Sequence, residues 1–183
     1  PTRRSSDLLA PMFNESAMLS GAIVSLSMED DVVTAINALH VTASGSAASP
    51  ITIDGALFEE PVPIVIEAQY ANVKNFADYY DTIDIQAPAN AVYTVGAGEF
   101  ETITGKGSLM ITFTEAIAYE VTIDAPAAQV IVAENASLET LTSTEALSIT
   151  VQPGGHLQDV YLPAQVDTLT MHGDIVSVNV ETT

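Results

Sequence analysis

Aromatic and acidic residues lie close together in the stretch 68–81, the part of the chain best suited to binding a sugar. Aromatic rings stack on the apolar face of a sugar, and neighbouring carboxylates accept hydrogen bonds from its hydroxyl groups. The candidate ligand-binding residues are Tyr70, Asp78, Tyr79, Tyr80 and Asp81. The opposing interpretation is a long loop whose rings pack against the body of the protein. We favour this second interpretation, because a cluster of residue types alone does not fix a geometry.

Catalysis needs a more specific arrangement than this stretch offers. Glycoside hydrolases use two carboxylates about 5 to 9 Å apart, and the candidates here are Asp78, Asp81 and Asp84. Asp81 and Asp84 flank the start of an expected strand, where acidic residues more often form a solvated face. No motif in the chain carries a known reaction mechanism. We therefore expect a protein without enzymatic activity.

Residue types that bind metals occur without a metal-binding pattern. The chain has three histidines, His40, His156 and His172. They never fall two or four residues apart, so no local metal clip forms. Oxygen ligands that suit calcium are abundant at 29–31, at 59–60 and at Asp78 with Asp81, but none follows the EF-hand or nonapeptide spacing. We predict no cofactor, and a calcium site is permitted by the composition without being predicted.

A recurring Thr-x-Thr pattern is the sharpest feature of the expected outer surface. Each instance follows an acidic residue, and the pairs are Thr102 with Thr104, Thr140 with Thr142, and Thr168 with Thr170. Alternate residues of a strand point to opposite faces, so Ile103, Leu141 and Leu169 point inward and the threonines outward. Rows of outward threonines resemble the ice-binding surfaces of some antifreeze proteins. Thr is also simply suited to exposed strand positions, so ice binding is an alternative rather than the main prediction.

Two copies of one unit organise the chain. Residues 83–113 and 121–151 align without a gap at an offset of 38 positions, with 11 identities in 31 positions. Self-similarity at a fixed period is typical of stacked units that bury their apolar faces against each other. A third, weaker copy continues at residues 167–170, after a step of 28 residues where 38 is expected.

Short strands are expected from residue 51 onward, because apolar residues alternate there in short segments. Their ranges are 51–53 and 63–66, then 83–86, 91–95, 100–104, 109–113, 119–123, 129–133, 138–142, 147–151, 158–162, 166–171 and 175–180. Two architectures fit this spacing. One is a β-solenoid with two strands and about 19 residues per coil, and the other is an antiparallel β-sandwich. We predict the all-β solenoid, because the duplicated unit keeps its register without gaps.

The first part of the chain gives mixed signals. Segment 17–28 is apolar and β-branched enough for a strand, whereas 29–39 places acidic residues ahead of apolar ones spaced like one helix face. We therefore expect residues 9–50 to form an N-terminal flank or cap with a short helix, an ordinary strand being the alternative. Residues 51–183 are expected to form the repetitive β domain.

The Val, Thr and Ala-rich texture of residues 80–180 resembles the repeat tracts of bacterial cell-surface proteins and, more remotely, the bactofilin-like solenoids. This resemblance implies a β-helical fold, an extracellular or cell-surface location, and a structural or adhesive role. Some β-helical families are polysaccharide lyases, which use Arg or Lys near a uronate carboxylate. After position 8 the basic residues of this chain are Lys74 and Lys106 alone, which argues against a lyase.

Residues 1–8, PTRRSSDL, resemble the translation of a common sequencing adapter, CCT ACA CGA CGC TCT TCC GAT CTN. We interpret them as a sequencing scar outside the natural protein and leave them out of the fold prediction. The gene is then expected to come from a metagenomic assembly, with its true N-terminus missing.

Composition excludes several classes of function. The formal net charge of −20 over 183 residues repels nucleic acid and anionic membranes. The apolar fraction of 48% argues against disorder, and no apolar run approaches the roughly 20 residues that span a bilayer. The absence of cysteine excludes a disulfide scaffold and a thiolate nucleophile.

The sequence therefore predicts a non-catalytic, structural or adhesive module of a bacterial extracellular or surface protein. A carbohydrate-binding or carbohydrate-active β domain is the first alternative, and an ice-binding solenoid is the second. The open ends of a solenoid expose unpaired strand edges. We therefore expect the partners to be other domains of a longer chain, further copies of the same chain, or glycans, and neither nucleic acid nor an inserted membrane.

Overall fold

The computed structural model describes most of the chain from Ala22 onward. The described residues are 22–29, 32–42, 45–57, 63–76, 83–96, 102–145, 147–162 and 168–180. In them the chain forms two β-sheets and one short 3-10 turn, Gly55–Leu57.

The strands divide between a nine-stranded and a seven-stranded sheet. The nine-stranded sheet contains β1 (Ala22–Glu29), β2 (Val32–Val41), β4 (Ile64–Ile66), β6 (Ile83–Ala87), β8 (Thr102–Gly105), β10 (Ala116–Asp124), β12 (Ser137–Ser143), β14 (His156–Leu162) and β16 (Asp174–Val180), in that order. The seven-stranded sheet contains β3 (Ile51–Asp54), β5 (Tyr70–Lys74), β7 (Ala91–Val95), β9 (Ser108–Phe113), β11 (Ala127–Val132), β13 (Leu147–Val151) and β15 (Thr168–Met171), also in chain order.

Consecutive strands from β2 onward alternate between the two sheets, and neighbours within each sheet are parallel. Each pair of successive strands is therefore one coil of a β-solenoid. Coil neighbours are about 19 residues apart, as where Ile111 pairs with Val130 and Val130 with Ile149. The predicted solenoid is confirmed, and the antiparallel β-sandwich is wrong. Each strand predicted from Ile83 onward is confirmed in its described residues, and positions 100–101 and 166–167 lie outside them.

The core is a stack of inward-facing aliphatic side chains between the two sheets. On the larger sheet Ile85, Ile103 and Ile123 form one row and are fully buried. On the smaller sheet Ile111 and Ile149 stack in the same way. Full burial of one such side chain contributes about 1.5 to 3 kcal/mol, so each coil is stabilised chiefly by the coils above and below it.

Tyr93 is a polar member of this core. Its hydroxyl donates a hydrogen bond to the backbone carbonyl oxygen of Ala68, one coil away. Burial, and then the negative charge of Glu67, raise the pKa of Tyr93 well above its ordinary value. The hydroxyl therefore stays protonated, and it supplies a hydrogen-bond donor to the buried carbonyl oxygen of Ala68.

Residues 32–39 belong to strand β2, Val32–Val41, so the expected short helix is wrong there and the alternative of an ordinary strand is confirmed. Residues 30–31 lie outside the described part. β2 pairs with β1 in an antiparallel arrangement and with β4 in a parallel one, so it belongs to the larger sheet. The segment is rich in β-branched residues, which prefer a pleated strand. Strand pairing on both sides outweighs the helical spacing of its apolar residues. The strand expected at 17–28 is seen as β1, and residues 17–21 lie outside the described part.

The duplicated units keep their expected register in two pairs of strands and lose it in two others. On the larger sheet Ile85 shares a row with its copy Ile123, whereas on the smaller sheet Tyr93 shares a row with Val130 and not with its copy Ile131. On the smaller sheet Ile111 and its copy Ile149 share one row. On the larger sheet the row that contains Ile103 and Ile123 continues to Ser143, two residues beyond Leu141, the copy of Ile103. The shift by two residues keeps inward side chains inward, so Leu141 is buried like Ile103. The shift by one residue instead moves Ile131 to the outer row, and the neighbouring Val130 takes the buried place.

The third copy of the unit is a misinterpretation. Residues Thr168–Met171 form β15 in the smaller sheet, whereas Thr140 and Thr142 lie in β12 of the larger one. The Thr-x-Thr pattern thus changes sheet between these two instances. This change explains why the step is 28 residues instead of 38.

Candidate functional site

One predicted sugar-binding residue, Tyr70, and one candidate for catalysis, Asp84, are described, and they lie on different sheets. Tyr70 is half-buried on β5 of the smaller sheet, where it pairs with Val92. Asp84 lies on β6 of the larger sheet and accepts a hydrogen bond of 2.6 Å from the amide nitrogen of Gln86. Phe76 is fully buried and belongs to the core. Asp78, Tyr79, Tyr80 and Asp81 fall outside the described residues, so their sugar-binding role stays a prediction.

The predicted threonine pairs do not form one continuous face. Thr102 and Thr104 lie on β8, and Thr140 and Thr142 on β12, both in the larger sheet. Thr168 and Thr170 lie on β15 in the smaller sheet. The intervening residues point inward as expected: Ile103 and Leu141 are fully buried, and Leu169 is partly buried against the core.

Register decides which threonines stack on the larger sheet. Thr122 pairs with Thr102 on one side and with Thr142 on the other, which gives a row of three. Thr104 instead pairs with Asp124, and Thr140 pairs with Glu120 and Asp159. Thr104 and Thr140 therefore lie beside carboxylates. The outer surface of the larger sheet is a mixture of hydroxyl and acidic groups.

A longer threonine row on the smaller sheet was missed from the sequence. Backbone pairing links Thr52, Asn72, Thr94, Thr112, Ile131, Thr150 and Thr170 across all seven strands. These positions recur at intervals close to one coil, so wrapping the sequence at the coil period would have found them. The Thr-x-Thr pattern does not reveal this row, because the pattern lies along one strand whereas the row runs across strands.

A shallow depression of about 350 Å³ lies beside this row, where β7, β9, β11 and β13 begin. Val92 and Met110 form its apolar floor and are each 39% exposed. The Ser108 hydroxyl donates a 2.6 Å hydrogen bond to the side-chain oxygen of Asn90 at its margin. Gln129 and Ser148 continue the lining. The lining contains no charged side chain, so this depression supplies neither a general acid nor a general base.

The best-defined charged group lies at the end of β3. The Asp54 carboxylate accepts a 2.7 Å hydrogen bond from the Asn75 amide and another from the backbone N–H of Ala56, and the Lys74 ammonium lies 3.3 Å away. Burial raises the pKa of Asp54, but the two hydrogen bonds and Lys74 together outweigh burial and lower it. Asp54 and Ala56 belong to one coil, and Lys74 and Asn75 lie at the end of β5 in the next coil. This group therefore links two coils.

The histidines and acidic residues show no metal centre in the described ranges. No group of three or more His, Cys, Asp or Glu side chains converges there. His172 is exposed, His156 is partly buried at the start of β14, and His40 lies 3.8 Å from Glu67. The candidate calcium ligands at 30–31, at 59–60 and at Asp78 with Asp81 lie outside the described residues.

Among the described residues, no helix has the length and apolar character of a membrane span. No protein-family model, curated protein or solved structure matches the chain. The surfaces described above are therefore interpreted from their own chemistry.

Proposed function

We propose that this chain is a non-catalytic structural or adhesive module of a bacterial extracellular or cell-surface protein. The observation that carries the proposal is the continuous stacking of parallel strands from β2 to β16, in which each coil supports the next. The Val, Thr and Ala-rich repeat texture supports the surface location, and the absence of cysteine is compatible with it.

Such a stack suits a spacer, because every added coil adds length. Neighbouring strands lie about 4.8 Å apart, so the nine-stranded sheet extends on the order of 40 Å along the solenoid axis. Each coil contacts only its neighbours. A stalk can therefore be lengthened by duplicating coils, and the sequence duplication at 83–113 and 121–151 fits that mode of growth.

The outer face of the smaller sheet suits adhesion better than catalysis. Hydroxyl and amide groups repeat there at the strand spacing, and the adjoining depression combines uncharged polar groups with Val92 and Met110. Repeated weak contacts of this kind become strong when many act together. Uncharged polymers such as glycans fit this surface, whereas a net charge of −20 opposes nucleic acid.

The test is an activity screen combined with an adhesion assay. The purified chain is incubated with neutral and uronate-containing polysaccharides, and released products are sought by mass spectrometry. Beads coated with the chain are tested on glycan arrays and cell surfaces, beside beads carrying an unrelated protein of equal negative charge. We expect adhesion without product release.

Product release would contradict the proposal. If release disappears in the Asp78→Asn and Asp81→Asn variants, the carbohydrate-active alternative replaces it. Glycan binding that is abolished by Tyr79→Ala and Tyr80→Ala, without any product, would instead identify a carbohydrate-binding module.

Ice binding is a second candidate, and the threonine row of the smaller sheet is the observation that favours it. Where threonines are neighbours in this row, as Thr94 and Thr112 are, their hydroxyl and methyl groups repeat at the strand spacing of about 4.8 Å. A freezing-hysteresis assay tests it with Thr112→Tyr, which places a bulky ring in the row. Thr142→Tyr on the other sheet is the matched control. Hysteresis lost only in Thr112→Tyr supports ice binding, and no hysteresis in the unaltered chain discards it.

A further inference from the structure

One outward row of the smaller sheet begins with apolar side chains and continues with polar ones. Tyr70 pairs with Val92, and Val92 pairs with Met110. Val92 and Met110 are each 39% exposed, and Tyr70 is partly exposed. The same row continues through Gln129 to Ser148. We call these five residues the axial stripe, because they lie on successive coils and follow the solenoid axis.

Polar groups flank the apolar part of the axial stripe on both sides. Thr94 and Thr112 lie two residues further along β7 and β9, and they form part of the threonine row. At the opposite margin the Ser108 hydroxyl donates to the side-chain oxygen of Asn90, which leaves the amide N–H groups of Asn90 to donate to a ligand. The depression of about 350 Å³ lies over this region, within the usual range of small-molecule sites. A ligand here would meet apolar contact at its centre and hydrogen-bonding groups at its sides.

The strands that carry most of this surface contain no charged residue. This holds for β7, β9, β11 and β13, whose sequences are AVYTV, SLMITF, AAQVIV and LSITV. On the larger sheet, by contrast, each of β10, β12, β14 and β16 contains an acidic residue. The net charge of −20 repels anionic ligands, and cations are attracted to the acidic sheet instead. The axial stripe therefore suits an uncharged ligand.

Strand pairing argues against a peptide as that ligand. Extended peptides commonly bind by adding a strand to an exposed sheet edge. β7, β9 and β11 have no such edge, because each pairs with a strand on both sides. A ligand on this face is therefore bound by side chains alone. The pairing also fixes the spacing of these side chains at about 4.8 Å, so little conformational freedom is lost when a ligand binds.

We propose that the axial stripe binds a neutral glycan whose chain lies along the solenoid axis. The apolar face of a sugar ring packs against Tyr70, Val92 and Met110. Its hydroxyl groups exchange hydrogen bonds with the amides of Asn90 and Gln129. Successive sugar units contact successive coils, so weak contacts add along the chain. This inference rests on the adhesive role proposed above, and it identifies the ligand as an uncharged polysaccharide.

The first experiment is electrophoresis of the full chain in native gels that each contain one soluble polysaccharide. Glucomannan, arabinoxylan and dextran are the neutral probes, and polygalacturonate is the anionic probe. We expect a neutral polysaccharide to retard the chain and polygalacturonate to have no effect. In Met110→Asp a carboxylate would have to be desolvated beneath the sugar, so equal retardation should need about tenfold more polysaccharide. Gln158→Asp adds the same charge at an exposed position of the larger sheet and is the matched control.

The second experiment observes the stripe without changing it. The chain contains five methionines, and methionine-methyl NMR spectra are recorded while an oligosaccharide of the retarding polysaccharide is added. Met110→Leu assigns the Met110 signal. Met171 is 57% exposed on β15, outside the stripe, and is the internal control for non-specific contact. We expect the Met110 signal to shift with added sugar and the Met171 signal to stay in place.

The outcomes separate this inference from the role on which it rests. Retardation that is unchanged in Met110→Asp overturns the inference, and its loss in Tyr79→Ala and Tyr80→Ala would place adhesion at another site. Stronger retardation by polygalacturonate than by the neutral probes also overturns it. If no polysaccharide retards a chain whose coated beads adhere to cells, the glycan site is wrong and the adhesive role stands. Product release would instead contradict the adhesive role itself. If Met110→Asp fails to fold by circular dichroism, the Met110 methyl signal still decides.

Discussion

Replacing Ile111 by Ala tests whether the coils share one continuous core. Ile111 is fully buried at the middle of the smaller sheet, with Tyr93 on one side and Val130 on the other. The change removes three buried carbon atoms, worth about 0.8 kcal/mol each. The cavity left between two rigid coils adds to this loss, so we expect a destabilisation of about 3 to 4 kcal/mol.

Urea unfolding followed by circular dichroism measures this loss, with Thr112→Ala as the matched control. Thr112 is the next residue of the same strand and points outward, so its replacement should change the free energy of unfolding by less than about 1 kcal/mol. The slope of the unfolding free energy against urea reports whether the coils unfold together. A loss below about 1 kcal/mol for Ile111→Ala, or equal losses for the two variants, would refute the continuous core.

Three further predictions concern other described groups. Tyr93→Phe leaves the Ala68 carbonyl without its donor and should cost about 1 to 3 kcal/mol, measured by urea unfolding against the exposed control Tyr161→Phe. Because the pKa of Asp54 is lowered in the folded state, its contribution to stability is present at neutral pH and is lost as pH falls below the ordinary carboxyl range. In Asp54→Asn the free energy of unfolding should therefore fall less steeply on the acid side of its pH dependence, and an unchanged pH dependence would contradict this. In Gly173→Ala the new methyl group would overlap two backbone carbonyl oxygens of the preceding coil, so we expect a lower thermal midpoint, whereas an unchanged midpoint would show that the turn can relax.

Much of the architecture could be predicted from local sequence, because inward and outward residues alternate along β5, β6, β7, β9 and β11. Ile103 and Leu141 were assigned inward by alternation, and both are fully buried. The strand β2 was misread as a helix, because short apolar segments fit both periods. The pairing with β1 and β4 that decides between them joins residues distant in the sequence.

The outer rows were harder to predict, because they depend on register between coils. A gapless alignment suggested that Thr102 and Thr140 occupy equivalent positions, yet Thr102 stacks in a row with Thr122 and Thr142. Both registers bury the same apolar faces, so alternation alone does not distinguish them. The row through Thr112 and Thr150 was missed because it runs across strands, not along one, and because Ile131 interrupts it.

The parallel ladder also has a mechanical consequence. β1 and β16 lie at opposite ends of the larger sheet, so tension applied across the stack acts along the hydrogen bonds and loads the terminal coil first. Bonds loaded in this direction open one after another, whereas bonds loaded in shear resist together. Each coil that peels away would release on the order of 60 Å of extended chain. A tether built in this way would yield in small steps and dissipate sudden load, and it would regain its length as coils rewind onto the intact remainder.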